Sequence, residues 1–456
     1  MTNALERYFG VQEAGSTLRR EVVGGLTTFA TMSYIVFVQP TVLSAAGMPF
    51  GSVLLATCLS SALACFLMGL LARYPFALAP GMGENFFFAF TVCSTFPGAM
   101  GFSWQAGLAI VLISGLLFVA LSLFGVREQV LRILPDCLKN TIGPAIGFFI
   151  SFVGLQWGGI IKLSPTTMVT LGDLHTGAPV ITLIGVFLIA TMMALRIQGG
   201  ILIGIVVTCI LGLASGVMKY PQDTVHLSTE TFFNLNFAEL ASKWDAALIA
   251  ILLFFFMVLF DTVGTLVGVG RQAGFVDEAG TLPRARQAFF ADAMATCIGA
   301  LFGTSTVTSY IESATGVAAG ARTGLAAVVT GMCFLLAIVA APLVHIVGYD
   351  VGPAFYGVGP TDLHVAMYPG VAPALIVVGL LMMAPLRLVQ WDDVTESLPS
   401  FFTVAMMVFG YAIHEGISAG CISYAAIKLL SGRGKEVHPI MYGIAIALAA
   451  RYVFLR

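Results

Sequence analysis

Runs of about twenty apolar residues, recurring from residue 24 to residue 431, limit what this chain can fold into more than any other feature. A run of that length is what a helix needs to cross the hydrocarbon core of a bilayer, about 30 Å thick. The first half holds spans 1 to 7, at 24–44, 51–72, 76–92, 104–124, 140–160, 178–196 and 199–218. The second holds spans 8 to 14, at 246–268, 286–303, 304–320, 323–346, 371–388, 397–412 and 414–431; one more apolar stretch, 437–455, follows. Composition agrees: 58% of the 456 residues are hydrophobic and 10% are charged, against about 25% charged in a soluble domain. Disorder, a coiled coil and an ordinary cytosolic enzyme are excluded. The net charge of −2 offers no basic field, so no nucleic-acid partner is expected.

The eight cysteines lie mostly in apolar runs, with no C-x-x-C or Cys/His cluster, and read as small fillers. Neither a metal site nor a cofactor is expected. The polar, acid-containing start is no cleavable signal peptide. Orientation follows from the basic residues. With a cytoplasmic N-terminus, sixteen Lys/Arg fall inside: Arg7, Arg19, Arg20, Arg73, Arg127, Arg132, Lys139, Arg196, Arg271, Arg284, Arg286, Arg322, Arg387, Lys428, Arg433 and Lys435. Only Lys162, Lys219 and Lys243 fall outside. A multi-pass protein of the inner or plasma membrane, with the lipid bilayer as its partner, is expected.

The halves resemble each other. RIQGGILIGIVVTCILGLASG (196–216) aligns with AIHEGISAGCISYAAIKLLSG (412–432) in its small-residue rhythm and closing Ser-Gly. Two segments broken by Gly, Pro and Thr, FALAPGMGENFFFAF (76–90) and LFGTSTVTSYIESATG (301–316), also correspond, each at the third span of its half. Seven spans per half is odd, so the halves must be inverted. Paired interrupted segments in an inverted repeat mark a transporter's midplane site.

Acids inside apolar spans cost roughly 2.5–3.5 kcal/mol each and need a partner or a wet cavity. Four occur: Glu84 and Glu312 in the broken segments, Asp261 in span 8 and Asp292 in span 9. Pro80, Gly81 and Gly83 interrupt one segment. The alternation from Thr304 to Tyr310 predicts a short extended strand in the other. Carboxylates, the amide of Asn85, the hydroxyls of Thr308 and Ser309, and a flat ring such as Phe86 suit a planar heterocycle with donors and acceptors. Asp292, close after Arg286, reads instead as a bond within its own bundle. His414 and Glu415 read as a solvated loop pair, and the Phe clusters 86–88 and 254–256 as lipid-facing or packing residues.

Here the residues resemble a family. GGLTTFATMSYIVFVQP, ALAPGMGENFFFAF, LFDTVGTLVGVG, GTSTVTSYIESATGVAAGARTGLAAVV and ISYAAIKLLSGRGKEVHP are similar to the nucleobase/cation symporter-2 superfamily, and within it to AzgA-like purine permeases. The resemblance implies an all-α membrane fold of 14 transmembrane segments as a 7+7 inverted repeat, with spans 3 and 10 crossing at the midplane. It implies a core domain in two parts, 24–124 and 246–346, and a gate domain in two parts, 125–218 and 347–431. Residues 1–23 form a cytoplasmic segment, 219–245 an external loop and 432–456 a C-terminal apolar segment. It implies proton-coupled import of hypoxanthine, guanine or adenine, with substrate contacts at Asn85, Asp261 and Glu312, and the proton on Asp261 or Glu312. Glu84 and Gln39 depart from the family pattern, which commonly has an apolar residue and Asn there. A uracil or xanthine permease and an anion transporter of the same architecture are the alternatives. A homodimer is expected by analogy with related folds.

Overall fold

The computed structural model describes residues 4–94, 99–124, 135–164, 167–219, 225–275, 282–348, 351, 354–356, 363–365 and 367–454. Arg127 and Arg132 of the orientation argument, and residues 455–456 of the last apolar stretch, lie outside them. Every span expected from the sequence contains helix. Among the described residues, seven helices are both long and apolar enough to cross a membrane, from Leu18–Ser44 to Gly324–Val347, and shorter apolar helices include Gly200–Ala214, Ala372–Leu388 and Val394–Phe409. The stretch after span 14 is a helix too, Pro439–Phe454, packed along span 14.

Two groups of helices pack internally. Span 2 (Phe50–Leu67, ending in a wide turn at Met68–Ala72) lies against spans 9 and 11, span 1 against span 11, and span 4 against spans 8 and 9. Span 5 lies against spans 12 and 13, span 13 against span 14, and span 6 against spans 7 and 12. Small residues let the helices close up. A Cβ added at Gly324 of span 11 would stand 2.0 Å from the carbonyl oxygen of Gly69 in span 2. One at Gly379 of span 12 would stand 2.2 Å from that of Gly147 in span 5. Association in lipid rests on this kind of backbone approach, because the hydrophobic effect does not drive helix against helix there.

The broken segments are where helix gives way to strand. β1 (Leu78–Pro80) belongs to span 3; β2 (Ile161–Ser164) and β3 (Met168–Leu171) form a hairpin after span 5; β4 (Val307–Ser309) belongs to span 10; β5 (Ala354–Tyr356) and β6 (Leu363–Val365) form another hairpin before span 12. β1 and β4 pair antiparallel across the molecule: Leu78 faces Ser309, Ala79 faces Thr308 and Pro80 faces Val307. Antiparallel pairing of equivalent segments is what inverted halves require. Pro80 ends its strand, where its missing N–H costs least, and its carbonyl accepts the Tyr310 hydroxyl at 2.5 Å. Gly81 N donates to the Thr306 carbonyl at 3.3 Å and Tyr310 N to that of Ala77 at 2.9 Å. The ladder thus satisfies backbone groups that an interrupted helix would leave bare in oil.

The extended run is shorter than the sequence indicates. Strand covers Val307–Ser309 only, because Gly303 (φ +89°) and Ser305 (φ +71°) adopt left-handed backbone to turn the chain sharply out of span 9. The strand in the first segment, Leu78–Pro80, and both hairpins have no forerunner in the sequence reading.

Candidate functional site

Helix resumes just beyond each strand, at Met82 in span 3 and at Ser313 in span 10. Four of the expected residues converge around this crossing. Thr308 on β4 donates its hydroxyl to Asp261 Oδ2 of span 8 at 3.1 Å. Glu312, immediately before the second restarting helix, accepts the Tyr34 hydroxyl of span 1 on Oε1 at 2.7 Å. Glu84 lies in the first turn of the other helix, 3% exposed. Its carboxylate folds back over Gly81: a Cβ there would meet Glu84 Oε2 at 2.3 Å and Thr308 Oγ1 at 3.1 Å. Among the described residues, none of these carboxylates lies within 4 Å of a Lys or Arg.

Asn85, the next residue, is fully buried, yet neither its amide nitrogen nor its amide oxygen has a partner. A buried polar group left unpaired costs about 1–3 kcal/mol, so one offering both a donor and an acceptor beside the crossing is a group that awaits a ligand. Thr306 Oγ1 and Ser305 Oγ, on the approach to β4, are buried and unpartnered as well.

Two expected residues take other roles in this geometry. Successive strand residues point to opposite faces. Thr308 faces Asp261, so Ser309 faces away, and its hydroxyl and backbone N–H both go to Asp292 Oδ1, at 2.6 and 2.7 Å. Asp292 Oδ2 accepts the hydroxyl of Thr262, the neighbour of Asp261, at 2.6 Å. Asp292 therefore pins β4 to span 8 from behind, which makes it the bonded residue the sequence indicated and Ser309 its anchor. Phe86 is wholly buried, stacked on Phe90 with centroids 5.6 Å apart and set edge-on to Phe149 of span 5 at 6.4 Å. One face is covered by Phe90, and the ring packs in the seam between spans 3 and 5.

Further supports come from Gln39, noted in the sequence only as a departure from the family pattern, and from Thr57 and Thr296, which the sequence reading left aside. Gln39 Nε2 holds the Thr304 carbonyl at 2.7 Å, and Thr57 and Thr304 share a hydroxyl contact of 2.6 Å. Thr296 donates to the carbonyl of Val307 at 3.0 Å. Buried polar residues on helices flanking a Gly/Pro break are the signal that would have found them. Phe86, Phe87, Phe88 and Phe254 are all buried, so these rings pack inside the protein rather than face lipid. His414 corrects the sequence reading outright. It is 0% exposed in span 14, its Nε2 2.9 Å from Glu415 Oε1 and its ring 6.5 Å from that of Phe87 in span 3. Span 14 starts one residue before it and packs against the restarted part of span 3, which removes it from water.

Known proteins place this architecture. A family model described as "Permease family" (Xan_ur_permease) matches residues 19–361. The chain is 44% identical to the guanine/hypoxanthine permease PbuG of Bacillus subtilis (strain 168), over 99% of this chain and 100% of that protein. It is 39% identical to the adenine permease AdeP of Escherichia coli (strain K12), over 99% and 96%. The transmembrane domain of a cyanobacterium bicarbonate transporter, BicA, has the same fold, with a TM-score of 0.62 at 13% identity, over 87% of this chain and 97% of that one. Fold, span pattern and full-length similarity agree, and the chain is a member of the permease family: a multi-pass, mainly helical membrane transporter of the 7+7 inverted-repeat fold, and not an enzyme.

Proposed function

We propose that this permease carries purine nucleobases, hypoxanthine, guanine or adenine, into the cell together with protons. The observation that carries the reading is the Asn85 amide, buried with both atoms unpartnered near the Asp261 and Glu312 carboxylates, which accept hydroxyls from Thr308 and Tyr34. A purine ring presents N–H donors and ring-nitrogen or carbonyl acceptors along one edge. An amide answers both kinds, and carboxyl groups accept the donors. The names of the two relatives above point to the same substrate class.

In the proposed cycle Asp261 or Glu312 takes a proton from outside, and the site accepts the base from the external vestibule. Spans 1–4 and 8–11 then move as a core against a gate of spans 5–7 and 12–14. Release of base and proton to the cytoplasm resets the site. The packing of helices into two groups supports that division. Hydroxyl partners rather than cations leave both acids able to gain and lose a proton, and that supports the coupling role. The skew of Lys and Arg supports a cytoplasmic N-terminus in the inner or plasma membrane. Exposed apolar residues such as Phe187, Val339 and Phe409 suit contact with lipid. A homodimer joined through the gate is part of the proposal by analogy alone.

The test is uptake of labelled hypoxanthine into proteoliposomes, with unlabelled adenine, guanine, xanthine and uracil as competitors. Strong competition by adenine or guanine with weak competition by uracil is expected. Uptake inhibited by uracil alone, or no uptake of any base, contradicts the reading.

A further inference from the structure

Both helices that restart at the crossing begin on one of the chain's own acids. Glu312 stands directly before Ser313–Ala318, and Glu84 sits in the first turn after Gly81. A helix start gathers free N–H groups and a partial positive charge, and so favours an anion. At this crossing that preference is already met. Gly81 has no side chain, and the Glu84 carboxylate lies over it, within about 2.3 Å of where a Cβ would be and on the side of Thr308 and Asp261. Asn85 next to it keeps its amide unpartnered, so the ligand must come into the space these groups share. That space holds three carboxyl groups, and among the described residues no Lys or Arg stands within 4 Å of them. Each of the three that is ionised opposes the entry of a negatively charged ligand.

Resting on the nucleobase reading above, we infer that Glu84 is a specificity residue: it admits neutral purines and rejects those that are anions at neutral pH. The role differs from that of Asp261 and Glu312, which accept hydroxyl hydrogen bonds from other spans. Glu84 turns back on its own segment and covers the helix start that would otherwise attract an anion. Like charges brought together in a water-poor site repel each other strongly, so removing one of three should be readily measured.

The experiment compares wild type, Glu84→Gln and Glu84→Asp in proteoliposomes at neutral pH. It records inhibition of labelled hypoxanthine uptake by unlabelled hypoxanthine and by urate, an oxidised purine that is an anion there. In the wild type the half-inhibitory concentration of urate should exceed that of hypoxanthine by at least about tenfold. Glu84→Gln should shrink that ratio by about tenfold, while Glu84→Asp, which keeps the charge, should hold it near the wild-type value. If Glu84→Gln inserts but transports too slowly, calorimetric titration of the purified variant with each purine yields the same ratio. A ratio unchanged in Glu84→Gln, or wild-type protein inhibited equally by urate and hypoxanthine, overturns the role of Glu84. A wild type that takes up no hypoxanthine at all overturns the nucleobase reading instead.

Discussion

Two clusters of buried or half-buried acids in this molecule are treated in opposite ways. At the crossing of β1 and β4, Asp261 and Glu312 receive hydrogen bonds from Thr308 and Tyr34, and among the described residues no Lys or Arg lies within 4 Å of them. At the ends of spans 13 and 14, acids and bases are matched. The Lys428 ammonium, 1% exposed, lies 2.8 Å from Glu436 and 3.7 Å from Glu396. Arg433 binds Asp393 at 2.6 Å and Glu436 at 2.8 Å, and Asp393 caps span 13 through the Thr395 N–H. A cation fixes its acid in the charged form and ties helices together. A hydroxyl, itself donor and acceptor, serves a carboxyl group in either protonation state. The first arrangement suits a fixed frame, the second a site whose charge changes during a cycle.

Three changes would break or sharpen that contrast. The largest effect is expected from Asn85→Ala, which removes the unpartnered amide. Initial purine uptake at low substrate should fall by roughly 30- to 100-fold, as when a hydrogen-bonding group worth about 2–3 kcal/mol is lost. A fall of under twofold would mean that the amide does not touch the base. Next comes Asp292→Asn, which weakens the bonds to Ser309 and Thr262. It should lower stability by about 1–3 kcal/mol, read as thermal aggregation in detergent, and reduce transport as β4 loosens. Uptake and stability both at wild-type levels would show that β4 needs no pin. Lys428→Met should lower the melting temperature by roughly 5 °C while leaving purine uptake per folded molecule and its proton dependence unchanged. Altered coupling in that variant would erase the distinction between the two regions.

The smallest effect is in acid. The Arg433 guanidinium holds the Glu436 carboxyl down at about 2, and Asp393 well below the usual carboxylate range. A carboxylate held low contributes stability above its unfolded value and loses it as pH falls through the folded value. The frame should therefore keep its melting temperature from neutral pH to about 4.5 and lose a few degrees only below that. Both groups face solvent, so high salt should blunt even this loss. A melting temperature that already drops between pH 7 and 5 would place the acid-sensitive element elsewhere.

The sequence announces the spans because an apolar run of membrane length is a local signal: each of the fourteen contains helix. It also points to the broken segments, since Pro80, Gly81 and the Thr/Ser run are local too, and to the acids that need an explanation in oil. What it could not announce depends on partners far along the chain. Strand Leu78–Pro80 exists only because Val307–Ser309 lies beside it, some 230 residues later. Thr308 faces the site and Ser309 faces Asp292 because of the register, which no residue by itself encodes. His414 next to Glu415 looks like a surface pair until span 14 meets Phe87. Phe86 looks like a free ring until span 5 brings Phe149 against it.

The central claim is that acids held by hydroxyls at the crossing carry the proton that drives the base inward. Its most direct test is hypoxanthine accumulation in proteoliposomes with and without an inward-directed proton gradient, for wild type and for Asp261→Asn. Wild type should accumulate the base only while the gradient lasts, and Asp261→Asn should lose gradient-driven accumulation. Accumulation by Asp261→Asn with the pH dependence of wild type would contradict the account.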